Sequence, residues 1–160
     1  MNNKAQTHRR RPPRIGQIFQ SIRNPLYFVT MVTWKRQSVL ANERVHNAFR
    51  HHAFRQRNMG VSVGQYVIMP DHIHLFISIG HNQKLGESVK HLKQCVTKRL
   101  RETDSKLKVW QPGFFNHLLR NSESYIEKWR YMAENPIRAG LCKNAKDWPY
   151  QGEISHIDRA

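Results

Sequence analysis

Apolar positions along the chain follow two periods. Leu26-Tyr27-Phe28-Val29-Thr30-Met31-Val32-Thr33-Trp34 is dense in β-branched and aromatic residues. It follows the turn signal Asn24-Pro25 and predicts a first strand. Residues 42–58 switch to helical spacing, with Val45, Ala48, Phe49 and Ala53 on one stripe, Asn42 as N-cap and Gly60 as stop. Val61 to Met69 and His72 to Ile79 predict two strands of an antiparallel hairpin, turned at Pro70-Asp71. Residues 84–101 return to helix, with Leu85, Val89, Leu92, Val96 and Leu100 on one stripe and Lys90, Lys93, Lys98 and Arg101 opposite. Val109 to Phe115, broken by Pro112-Gly113, predicts a fourth, bent strand at an edge. A third helix starts near Ser122 and runs through Tyr131 toward Asn135-Pro136, with Ile137 to Leu141 adding a further turn.

The order β-α-β-β-α-β-α predicts an α+β domain: a ferredoxin-like split βαβ sheet, as in RNA-recognition modules, with helices packed on one face. The expected organisation is a basic N-terminal arm over residues 1–17, one domain over 18–150, and a C-terminal tail over 151–160.

Charge narrows the class. Among 160 residues, 27 Lys+Arg stand against 11 Asp+Glu, a net charge of +16. Such a balance on a folded domain points to a polyanion, most often nucleic acid. No run approaches the ~20 apolar residues of a membrane span, and the N-terminus lacks the apolar segment of a secretory signal. Cys95 and Cys142 are too few and too far apart for a disulfide framework or a zinc ribbon. A cytoplasmic, nucleoid-associated protein without a membrane partner is expected. Arg9, Arg10, Arg11 and Arg14 of the arm and Lys90, Lys93, Lys98 and Arg101 of the second helix are candidate phosphate contacts. A solvated tail and a solvated helix face are the alternatives.

The candidate chemistry lies in Met69-Pro70-Asp71-His72-Ile73-His74-Leu75-Phe76-Ile77. Strand alternation puts His72 and His74 on one face, taken to be open, and Ile73, Leu75 and Ile77 on the other, in the core. Two adjacent imidazoles can share a divalent metal, or simply be surface histidines. Asp71 is read as shaping the turn. On the third helix, Tyr131 and Asn135 stand four residues apart and share a face. The spacing suits a phenol beside an amide oxygen, and equally a core tyrosine followed by a helix cap. His117 reads as solvent-exposed, although a place near the site is open to it.

The runs MPDHIHLFI, VWQPGFFNH and YMAENPIRAGL, in that order, resemble the REP-associated tyrosine transposases of the single-tyrosine HUH endonuclease superfamily. The resemblance covers about residues 24–150. It implies a ferredoxin-like fold, Mg²⁺ or Mn²⁺ held by His72, His74 and Asn135, and Tyr131 as nucleophile. Tyr125 competes for that role but has no asparagine four residues on. The implied substrate is single-stranded DNA flanked by a hairpin of palindromic repeats, nicked and rejoined through a 5′-phosphotyrosine link. Relatives act as monomers or as homodimers that exchange the tyrosine helix. Phenols ionise only near pH ~10, so such a site must assist deprotonation. The alternatives are a non-catalytic nucleic-acid-binding module on the same sheet and a metal phosphodiesterase that uses water.

Overall fold

A computed structural model of the protein describes residues 24–157. The basic arm, with Arg9, Arg10, Arg11 and Arg14, lies outside the described residues. Five strands form one antiparallel sheet: β1 (Leu26–Val32), β2 (Val61–Ile68), β3 (His72–Ile79), β4 (Phe115–Leu118) and β5 (Gln151–Glu153), in the order β4-β1-β3-β2-β5. The first four stand in the ferredoxin-like order, and β5 extends the sheet beyond β2. Among the described residues three α-helices accompany them: α1 (Glu43–Gln56), α2 (Leu85–Arg101) and α3 (Ser122–Arg138). Among the described residues no helix is long and apolar enough to cross a membrane.

Local chemistry fixes the ends of these elements. The Asn42 side chain accepts from Val45 N at 3.0 Å and starts α1, and Asn121 does the same for α3 through Ser124 N at 2.7 Å. The helix α3 thus begins at Ser122, where the sequence pattern puts it, with Asn121 as its cap. Gly60, at φ 82°, turns the chain after α1 into β2. The helix α3 continues past Pro136 to Arg138.

Alternation along β1 and β3 builds two different layers. Val29 and Met31 of β1 join Ile73, Leu75 and Ile77 of β3 under α1 and α2, where Val45, Phe49, Val89, Leu92 and Val96 close a largely aliphatic core. Phe28 and Phe76 point the other way and meet Tyr125 and Met132 of α3, with Trp148 and Ile157. The expectation that all helices share one face therefore holds for α1 and α2 and is corrected for α3. An amphipathic stripe specifies that a helix packs, not which side of the sheet receives it.

Two further expectations change. The bent strand over Val109 to Phe115 divides into two pieces beside β1. Trp34 N donates to Val109 O at 2.8 Å and Gln111 N to Val32 O at 3.1 Å. Pro112 has no N–H to continue that ladder and Gly113 takes φ 75°. Regular pairing resumes only at Phe115, as β4. The segment read as a tail supplies β5, and Ile157 beyond it is buried against the α3-side core.

Candidate active site

The register of β3 against β1 pairs His74 with Thr30 and His72 with Val32. Both imidazoles stand on the α3 face, their ring centroids 4.6 Å apart. Each is held by its Nδ1. His72 Nδ1 lies 2.7 Å from Asp71 Oδ1, and His74 Nδ1 lies 2.7 Å from Thr30 Oγ1. An Nδ1–H donated to each oxygen leaves both Nε2 lone pairs open, the arrangement that orients histidine ligands. Asp71 is itself fixed: Arg36 Nε approaches its Oδ2 at 3.6 Å, and Thr33 N and Oγ1 both donate to its carbonyl. Arg36 and its neighbour Lys35 take positive φ (56° and 51°), an uncommon conformation for residues with a Cβ.

His74 is only 4% exposed, so it does not lie on an open face as the alternation suggested. Its ring stacks on Phe28 at 5.2 Å, and α3 covers it. Its Nε2 is buried with no hydrogen-bond partner. Burial, then the neighbouring His72, Arg138, Arg36 and Lys128, push its pKa down to about 3. Burial also lowers the pKa of His72, opposed by the Asp71 carboxylate. Both rings are therefore neutral at pH 7, the state in which imidazole binds metal.

The helix α3 brings the second half of the constellation. Asn135 Nδ2 sits 3.4 Å from His72 Nε2. Rotating the amide presents its oxygen at the same place. An orphaned buried Nε2, a second open Nε2 and a facing amide suit a hard divalent cation. No cluster of three or more His, Cys, Asp or Glu that could hold a metal ion occurs among the described residues. One turn earlier the Tyr131 ring lies 5.6 Å from that of His74, at 68°. It is 49% exposed and faces an open cleft of about 720 Å³ that also touches Thr30, His72, His74 and Asn135. The Arg138 guanidinium stands 4.4 Å over the Tyr131 ring and donates to the Tyr131 carbonyl at 2.6 Å. Tyr125 is 2% exposed and stacks on Phe76 at 4.3 Å, inside the core.

The expected phosphate contacts on α2 are not part of this cleft, because α2 covers the other face of the sheet. Lys93 points inward: its Nζ donates to Gln111 O at 3.2 Å and to Gly113 O. Burial lowers its pKa. Arg101 Nε donates to Leu107 O at 3.0 Å. Lys98 lines a separate groove with Arg44, Arg55 and Arg99, and Lys90 is exposed. His117 pairs with Phe28 in the sheet and is exposed. The cleft's own cations are Arg36 and Lys128, with Arg138 over the phenol. The sequence reading missed them, together with Thr30. Arg138 had a signal, seven residues after Tyr131 and hence on its face. Thr30 had none, since only the sheet register brings it to His74.

The chain matches the family described as "Transposase IS200 like" over residues 21–132, a span that includes His72, His74 and Tyr131. It is 28% identical over 138 residues to a Haemophilus influenzae protein described as a REP-associated tyrosine transposase, covering 78% of this chain and 77% of that protein. It is 23% identical over 130 residues to the REP-associated tyrosine transposase of Escherichia coli, covering 81% and 76%. Its fold resembles that of a REP-associated tyrosine transposase solved bound to a REP hairpin. The TM-score is 0.66 at 20% identity, over 86% of this chain and 92% of the other. A family match over more than half the chain, on a fold of the same architecture, makes this protein a member of the IS200-like transposase family.

Proposed function

We infer that this transposase cuts and rejoins single-stranded DNA beside a hairpin, with Tyr131 as the nucleophile. The observation that carries the reading is the meeting, at one open cleft, of two neutral histidines held through Nδ1, the Asn135 amide facing His72 Nε2, and the Tyr131 phenol. His72, His74 and Asn135 would hold Mg²⁺ or Mn²⁺. When bound, that ion polarises the scissile phosphate and offsets charge on its oxygens.

The chain's own residues supply the rest. Asp71 and Thr30 hold the imidazoles through Nδ1, which leaves each Nε2 as the atom available to an ion. Arg36 and Lys128 attract the phosphate backbone into it. Tyr131 Oη forms a bond to phosphorus while the bond from phosphorus to the 3′ oxygen breaks. The phenolic proton passes to water, and the departing oxygen ends as a 3′-OH. Phosphorus remains a diester, now to Tyr131, so attack by another 3′-OH rejoins strands without a nucleotide cofactor. The Arg138 guanidinium over the ring favours negative charge developing there.

The test is a labelled single strand carrying palindromic repeats from beside the gene, run on a denaturing gel with Mg²⁺ or Mn²⁺. Wild-type protein forms a covalent adduct. Tyr131→Phe forms none and still binds the DNA. Excess chelator abolishes the adduct. Cleavage without an adduct would indicate water as nucleophile, and binding without cleavage would indicate a non-catalytic module. Either result overturns the assignment.

A further inference from the structure

Phe115 is the most exposed large apolar side chain among the described residues, at 64%. It stands at the start of edge strand β4, and the core has no use for it. Its place in the sheet gives it meaning. Phe115 pairs with Thr30 across β4 and β1, and Thr30 pairs with His74 across β1 and β3. Directly opposed residues share a face, so Phe115, Thr30 and His74 form one row under the cleft. With strands about 4.8 Å apart, the Phe115 and His74 Cα atoms are roughly 10 Å from each other. Phe115 thus stands two strands away from His74 on the same face, and it lines the same cleft.

The approach to Phe115 is rigid. Lys93 Nζ, from α2, donates to the carbonyls of Gln111 and Gly113. Trp110 Nε1 donates back to Lys93 O at 3.1 Å. Gly113 at φ 75° makes the turn that delivers Phe115 to the sheet. Such anchoring lowers the ordering cost of binding. Gln111 lines the same cleft, and its side-chain amide can both donate and accept. Around these neutral groups stand Arg36 and Lys128. A flat aromatic face, an amide and a cationic rim together match a nucleotide whose base is unpaired. A paired base keeps its faces inside the duplex stack and cannot lie on the ring.

We propose that Phe115 is a stacking platform for one unpaired base of the strand held in the cleft, and that Gln111 contacts that base's edge. The proposal rests on the reading of the cleft as a single-stranded DNA site and adds the subsite that holds the base.

The test uses the whole chain, in chelator so that no cleavage intervenes. One probe is a single-stranded thymidine oligonucleotide with one 2-aminopurine, moved along the strand in separate preparations. The other is a fully paired duplex of the same length. At one probe position, wild-type protein quenches the fluorescence by stacking. Phe115→Ala and Phe115→Leu lose that quenching and bind the single strand about 5- to 150-fold more weakly, the range spanned by losing one base–aromatic stack. Phe115→Trp restores both, and duplex binding is unchanged in all three. Because the side chain is exposed, thermal unfolding should not move. Equal binding by wild type and Phe115→Ala, or an equal loss on single strand and duplex, would overturn the platform. If those results accompany a normal covalent adduct at Tyr131, only the platform fails. No single-strand binding by wild type would overturn it together with the reading beneath it.

Discussion

On the face covered by α1 and α2, β3 presents Ile73, Leu75 and Ile77, all fully buried in a sealed, mainly aliphatic layer. On the face under α3 the same strand presents His72, His74 and Phe76. The difference begins with the two-residue period of a strand, which lets one segment serve both sides. It is completed by what covers each side. Two helices press directly onto the first layer. The helix α3 packs through Tyr125, Met132 and Pro136 while Tyr131 and Asn135 border a cleft of about 720 Å³. Polar groups persist there with partners at one edge, Thr30 on His74, Asp71 on His72 and Asn135 facing His72, while His74 Nε2 is buried without one. One layer is therefore all packing, and the other combines a smaller core around Phe76, Tyr125 and Met132 with an open cleft that has room for chemistry.

Substitutions on the two sides should separate accordingly. The largest expected effect is His72→Ala: DNA cleavage falls below detection while the unfolding midpoint changes little. This ring is partly accessible and sits at the cleft rather than in the aliphatic layer. Cleavage at the wild-type rate would remove His72 from the site. On the other face, Leu92→Ala should cost about 2–5 kcal/mol of stability by leaving a cavity under α2. Urea unfolding measures this, and the folded fraction should still cleave. If Leu92→Ala lost activity without losing stability, the two layers would not be independent. Smaller still is Asp71→Asn, which weakens the hold on His72 Nδ1 without removing a candidate ligand. Loss of such an outer partner typically costs about 10–100-fold in metal affinity. Titration with Mn²⁺ reads it, and an unchanged affinity would return Asp71 to a purely structural part in the turn.

The elements that were legible in the chain are those whose pattern is local. The hairpin Val61–Ile79 and the helices α1 and α2 carry a clear period over eight or more residues each, and the structure has them within a few positions. The pairing of His72 with His74 needed only alternation, and that of Tyr131 with Asn135 only the helical turn. What escaped depends on assembly. The side of the sheet chosen by α3 is not written in its amphipathic stripe, so the burial of His74 could not be seen. Thr30 reaches His74 through a register linking residues 44 positions apart. The three residues of β5 are too few to show a period, and they add to the sheet only because β2 offers them an unpaired edge. The sequence did point to Pro112-Gly113 as a break, but not to the resumption of pairing after it. That depends on the free edge of β1.

Burial of His74 has one further consequence, the most specific of these effects to the α3 layer. The folded state holds this imidazole at a pKa of about 3, whereas an unfolded histidine titrates near 6.5. Between those values the unfolded chain binds the proton and the folded chain does not. Stability is therefore fully present above about pH 6.5 and is lost progressively as the pH falls toward 3. This one group contributes a slope of up to about 1.4 kcal/mol per pH unit. His72 is shifted in the same direction, so its contribution has the same sign. In metal-free buffer, urea unfolding at pH 6.5, 5.5 and 4.5 should show wild type losing stability more steeply than His74→Gln, by nearly one proton's worth. A substitution in the aliphatic layer, such as Leu92→Ala, should lower the whole curve without changing its slope. Parallel curves for wild type and His74→Gln would mean that the ring takes up its proton in the folded state as readily as in water. In that case the ring would meet water through the cleft, and its burial under α3 would not govern its titration.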